Sequence, residues 1–130
     1  MITYWDSSAL VEAVENPDVR GLLTRGEHMT RPHALAELFS TLTKGVQFHY
    51  PPDDAYEVIK DLAKELDFIE VTAQDALGAL KKAKAQGVRG ARIHDLMHAE
   101  AALKCGAEEL LTFDAAGFSS LNLPLNVREP

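Results

Sequence analysis

Cysteine is nearly absent from this chain: Cys105 is the only one in 130 residues. A lone thiol closes no internal disulfide and cannot join other cysteines around zinc. Its setting, after Ala101-Ala102-Leu103-Lys104 and before Gly106, reads as a helix end near a core, where a free thiol behaves as a small hydrophobe. Long hydrophobic runs are also missing. Nothing approaches the roughly 20 apolar residues that span a bilayer, so no membrane partner is expected. Met1-Ile2-Thr3-Tyr4-Trp5-Asp6 has neither a basic leader nor an apolar stretch long enough for export, and a cytoplasmic location is expected. Basic residues are scarce, with 13 Lys and Arg against 20 Asp and Glu and a formal net charge of −7. That balance weighs against a broad phosphate-binding surface. Locally it is relieved, because Lys81, Lys82, Lys84, Arg89 and Arg92 share one short stretch.

What is present is an ordinary globular composition, 46% hydrophobic and 25% charged. The length suits one domain, which at this size buries roughly two-thirds of the surface its unfolded chain exposes. No repeat, low-complexity segment or linker interrupts it.

Ile2-Thr3-Tyr4-Trp5 reads as a strand, and Asp6-Ser7-Ser8 as the N-cap of a helix over Ala9–Glu15. Pro17 restarts a short helix ending at Gly26, and a strand is expected around His28-Met29-Thr30. Pro32 opens a longer helix whose apolar stripe is Leu35, Leu38, Phe39, Leu42 and Val46. After Pro51-Pro52, residues Asp53–Leu66 form an amphipathic helix with Ala55, Val58, Ile59, Leu62 and Leu66 inward. Phe68–Val71 reads as a strand, and Thr72 caps a helix running to about Gln86. A further helix, Asp95–Lys104, is closed by Gly106. Glu109–Phe113 and Leu125–Val127 complete the strands. This alternation predicts a single α/β domain with a short, mostly parallel sheet and helices on both faces.

Four acids stand out by their places in that fold. Asp6 and Asp114 lie at the carboxyl ends of strands, facing the crevice where open parallel sheets bind ligands. Asp95 lies in a helix's first turn. Glu37 lies off the apolar stripe of its helix, facing either a cleft or water. Each has a plain structural use as a cap, a turn residue or a solvated position. If they converge, each pair about 4 Å apart repels by roughly 4 kcal/mol at an effective dielectric of 20. A hard divalent cation relieves that repulsion with oxygen ligands. The chemistry that follows is metal-assisted phosphodiester hydrolysis, which needs no nucleophilic side chain.

The blocks around these acids resemble the PIN-domain family, and in particular the VapC-type toxins of toxin–antitoxin pairs. Tyr4-Trp5-Asp6-Ser7-Ser8-Ala9-Leu10 is similar to the family's opening, and Ala34-Leu35-Ala36-Glu37-Leu38 to its central helix with one acid. Ile93-His94-Asp95-Leu96-Met97-His98-Ala99, continuing to Leu110-Leu111-Thr112-Phe113-Asp114 and Phe118, is similar to its third block. The segment Leu123-Pro124-Leu125-Asn126-Val127 is similar to its closing strand. The resemblance covers essentially the whole chain. It implies an endoribonuclease using Mg²⁺ or Mn²⁺ held by Asp6, Glu37, Asp95 and Asp114, with Asp6 and Asp95 as the direct ligands. Ser7 and Thr112 occupy positions that place hydroxyls near the metal. The resemblance also implies an RNA substrate, a small antitoxin partner and a homodimer. The amphipathic Asp53–Leu66 helix with its neighbour is the candidate dimer face.

Other readings compete. His94-Asp95-Leu96-Met97-His98 faintly echoes a zinc-protease helix, but it has Asp in place of the general-base Glu and no evident third ligand. A phosphoaspartyl enzyme would need a second Asp two residues after Asp6, where Ser8 stands. The remaining alternative is an inert PIN-like module that binds RNA or protein without cutting, which the negative charge favours and the four acids disfavour.

Overall fold

The computed structural model describes residues 1–130. β1 (Ile2–Trp5) forms where β-branched and aromatic side chains cluster. Its side chains alternate, so fully buried Tyr4 and Trp5 enter different cores on opposite faces. Leu110 and Leu111 divide likewise on β4 (Glu109–Leu111). A strand apolar on both faces needs helices on both sides of its sheet.

With β2 (Glu27–Thr30), β3 (Asp67–Phe68) and β5 (Asn126–Arg128), the sheet has the order β3-β2-β1-β4-β5. Every pairing is parallel, so the mostly parallel sheet of the sequence reading is entirely so. One face is covered by α1 (Ser7–Glu15), α2 (Pro17–Gly21), α3 (His33–Thr43) and α4 (Pro52–Ala63), packed around Trp5 and Leu111. The other is covered by α5 (Ala73–Lys82), α6 (Ile93–Lys104) and α7 (Ala115–Ser119), around Tyr4 and Leu110. The first crossovers extend the sheet through β2 and β3. The chain then returns past β1 to lay down β4 and β5, so the strand order reverses between β1 and β4. In an open α/β sheet, the crevice outside the carboxyl ends at that reversal is the expected ligand site.

Local signals held where they rested on capping. Thr72 and Asp75 form a reciprocal capping box on α5, and Gly106, at φ +75°, follows the end of α6. Four expectations need correction. The short helix after Pro17 ends at Gly21 and gives way to a 3-10 turn over Leu22–Thr24, not to helix as far as Gly26. The inward face of α3 is Ala34, Leu38 and Leu42, with Leu35 partly buried, while Phe39 is 38% and Val46 79% exposed. Positions four apart make that face narrower than the five-residue stripe. The helix also stops at Thr43 before Gly45 turns the chain at φ +77°, carrying Val46 away. β3 covers two residues, because past Phe68 only Ile69 still bonds its neighbour strand, donating to the Thr30 carbonyl. Ile69 and Val71 pack instead against the Tyr4 core. Last, α5 ends at Lys82, short of Gln86. Cys105 is half-buried, its thiol donating to the Ala102 carbonyl, as a structural thiol should.

Candidate functional site

The strand reversal sets Asp6, just past β1, beside Thr112, just past β4. Asp6 is 5% exposed and its carboxylate is fully oriented by the chain. Oδ1 accepts from the Ser8 hydroxyl at 2.7 Å and the Ala9 amide at 2.9 Å, capping α1, and Oδ2 accepts from the Thr112 hydroxyl at 2.6 Å. Ser8 Oγ in turn accepts from the Phe113 amide, and Thr112 Oγ1 from the Asp114 amide, both at 2.9 Å. Each hydroxyl has one proton and spends it on Asp6, so their mutual 3.3 Å approach is a contact and not a donated bond. A carboxylate offers about four lone-pair sites. Three are taken, which leaves one open on Oδ2.

Asp95, in the first turn of α6, is half-buried near this group. Burial raises its carboxyl above the usual aspartate value, and the charges of Asp114 and then Asp6 raise it further, against weaker help from His98 and Arg92. Arg92 is itself committed, donating to the Gly117 carbonyl and the Ser120 hydroxyl at 2.8 Å. Asp114 is exposed and caps α7 through Oδ1, which accepts from the Gly117 amide at 3.2 Å. Asp95 therefore lies within electrostatic reach of two aspartates from separate parts of the chain.

Glu37 lies in the same crevice in a different electrostatic state. Its Oε1 accepts from His98 Nε2 at 2.9 Å and lies 3.5 Å from Arg31 Nη2. Burial pushes its carboxyl up, but the His98 bond and the charges of His98, Arg31 and His33 outweigh that and bring it below the ordinary glutamate value. Behind it, the Tyr4 phenol lies 2.8 Å from His98 Nδ1. Burial raises the phenol's pKa and keeps its proton, so it donates to Nδ1 and leaves Nε2–H for Glu37. His98, 2% exposed, is a packed, hydrogen-bonded histidine. Arg31, 6% exposed, supplies charge rather than hydrogen bonds, since its Nε and Nη2 have no partner.

Of the residues singled out from sequence, Asp6, Asp95, Asp114 and Thr112 come together, and Glu37 joins their crevice already paired. Ser7 is displaced from its expected role. Ser8 carries the hydroxyl that holds Asp6, while Ser7 lines an adjoining cavity of about 410 Å³. Sequence reasoning also missed Arg31 and assigned His98 no role here. Two signals were available: Arg31 ends the β2 segment on the crevice side, and His98 is three residues from Asp95, on the same face of a helix.

No three His, Cys, Asp or Glu side chains stand close enough to form a ready metal cage. Mg²⁺ does not need one, being held by one or two carboxylates while keeping several waters. The donors here are all hard oxygens, Asp6 has an open lone pair, and Asp95 is raised by burial and by two neighbouring aspartates. These residues fit such an ion.

Solved structures match the chain over nearly its whole length. VapBC2 of Rickettsia felis, crystallised with a DNA fragment from its promoter, superposes with TM-score 0.70 at 18% identity, covering 99% of this chain and 98% of that one. VapC20 of Mycobacterium tuberculosis, a toxin that cleaves the sarcin–ricin loop, gives 0.70 at 19% identity, covering 93% and 95%. PAE2754 of Pyrobaculum aerophilum gives 0.75 at 16% identity, covering 98% and 89%. This protein has the PIN-like fold of the VapC-type toxins. No protein-family model matches the sequence, and no curated protein does.

Proposed function

We propose that this chain, built on that fold, is an endoribonuclease dependent on Mg²⁺ or Mn²⁺ and acts as the toxin of a toxin–antitoxin pair. The observation that carries the reading is the setting of half-buried Asp95, its carboxyl raised by burial and then by the charges of Asp114 and Asp6 at the place where the strand order reverses. Asp6 and Asp95 hold the ion, with Asp114 and Glu37 taking part through water or a second ion. When bound, such an ion supplies a water of lowered pKa and positive charge beside the scissile phosphate. Ser8 and Thr112 fix the Asp6 carboxylate so that its open lone pair does not wander. The Tyr4–His98 pair fixes Glu37 from behind.

The toxin role draws support from solved neighbours that are VapBC complexes. An antitoxin partner and a homodimer belong to the same proposal. Leu35, Phe39, Tyr56 and Ile59, on α3 and α4, line an apolar groove of about 360 Å³ that invites cover. It lies on the face that the amphipathic helix suggested for dimer contact.

Incubation of structured RNA with the protein and Mg²⁺ or Mn²⁺ tests the reading. Cleavage that needs the ion and is lost in Asp6→Asn and Asp95→Asn supports it. The inert-module alternative has one observation in its favour, that Glu37 is already bonded to the His98 ring and faced by Arg31. Binding without cleavage across a broad RNA panel would establish that alternative.

A further inference from the structure

His33 and His94 reach the same point from different helices. His33 opens α3 one turn before Glu37, and His94 directly precedes Asp95 on α6. Their rings stack with centroids 6.3 Å apart and planes 15° from parallel. Both residues are exposed and neither belongs to a core cluster, so packing does not explain the arrangement. Neither ring makes a hydrogen bond within the protein, in contrast to His28 and His98, whose rings are bonded. The stacked pair walls the cavity of about 410 Å³ that also takes in Ser7, Glu37, Ser40 and Thr41. That volume lies in the range of small-ligand pockets. Rings lying nearly parallel do not aim their nitrogens at one shared metal, and no metal-ligand group is present here.

We propose that the His33–His94 pair is a stacking platform for a single RNA base, the one next to the phosphate held at the aspartates. The inference rests on the ribonuclease reading and adds a substrate subsite to it. Single-stranded RNA is recognised by splaying bases onto aromatic faces, histidine among them. Such stacking tolerates any base, because every base has a π-face. The cavity's own chemistry selects base over phosphate. Glu37 and the neighbouring aspartates repel a second anion, whereas a base is uncharged. The Ser7 and Ser40 hydroxyls line the cavity and are free to meet a base edge. Without divalent ion, the base side of this contact is measurable apart from cleavage.

The test compares binding of a short single-stranded oligoribonucleotide with the same sugar–phosphate strand made abasic throughout, in metal-free buffer. The wild type should bind the intact strand about tenfold tighter than the abasic one. That preference should vanish in the double variant His33→Ala/His94→Ala and persist in His33→Phe/His94→Phe, which keeps flat rings. Equal wild-type binding of the two strands would overturn the platform, as would an alanine variant that still discriminates. A wild type that discriminates but cleaves nothing with Mg²⁺ or Mn²⁺ retires the nuclease reading and leaves the base site standing. Cleavage without discrimination does the reverse, and a wild type that binds no RNA at all overturns both.

Discussion

Glu109 and Asp114 bracket one stretch of chain, the first opening β4 and the second lying just beyond it, and their surroundings are opposite. Glu109 is buried but answered. Arg128 donates to both of its oxygens, at 2.9 and 3.1 Å, and the Thr3 hydroxyl adds a third bond at 3.0 Å. Arg128, outweighing burial, holds its carboxyl below the usual glutamate range. Beyond the other end of the strand, Asp6 accepts from hydroxyls and an amide and Asp114 from an amide, and no guanidinium donates to either of them or to Asp95. Burial and mutual repulsion lift Asp95 instead. Where an acid serves the fold, the fold supplies a cation. At the crevice it leaves the three aspartates without a bonded cation, the arrangement the proposed ion site calls for.

The largest effect that would break this contrast is expected from Asp95→Asn. RNA cleavage should fall by at least about 100-fold, more than the 10–100-fold typical of residues that only support a metal site. Stability should move the other way. Asp95's folded-state pKa is raised, so its favourable contribution is complete below the ordinary aspartate value and lost as pH rises through the raised one. At neutral pH without divalent ion, Asp95→Asn should therefore melt a few degrees above wild type, as calorimetry would report. Thr112→Val comes next. With the Asp6 orientation loosened, ion-dependent cleavage should drop by about 10–100-fold, and adding more Mg²⁺ should recover part of it.

Glu37→Gln probes the intermediate case, an acid in the crevice that the fold does answer. Removing its charge leaves buried Arg31 uncompensated and weakens the His98 bond. Chemical denaturation should register a loss of about 1–3 kcal/mol, the usual cost of a charge-assisted bond. Wild-type stability from this group should be present above the ordinary glutamate pKa and decline as pH falls through the lowered value. The smallest effect belongs to Glu109→Gln, about 1 kcal/mol or less, because the Arg128 side chain is 45% exposed and water screens the pair. Urea melts of this variant at pH 7 and pH 3 should differ less than those of wild type, because Glu109's contribution also disappears as pH falls.

The sheet, its helical cover and the crevice acids were readable because they depend on periodicity and on strand ends. Asp6 and Asp114 stood out by that rule, since an aspartate that follows an apolar run in a parallel sheet falls at the ligand-binding edge, and the family resemblance then chose the site role over a cap or turn. Pairings between distant side chains left no such trace. Nothing in the spacing of Arg31, Glu37 and His98 announces that they meet, so Glu37 was grouped with the unanswered acids although it has partners. The exchange of Ser7 for Ser8 has a simpler cause. In Asp-Ser-Ser at a helix start, either hydroxyl is close to the cap, and only the turn's geometry selects the second one. Phe39 and Val46 show the limit of an apolar stripe, which predicts burial only as far as a helix runs and a neighbour covers it.

The most direct measurement is an NMR titration of the Asp95 side-chain carboxyl carbon, with and without saturating Mg²⁺. The expected result is a pKa above the ordinary aspartate value in metal-free protein that falls well below it once the ion is bound. An ordinary value that Mg²⁺ leaves unmoved would contradict the proposal that these aspartates are crowded together to hold a cation.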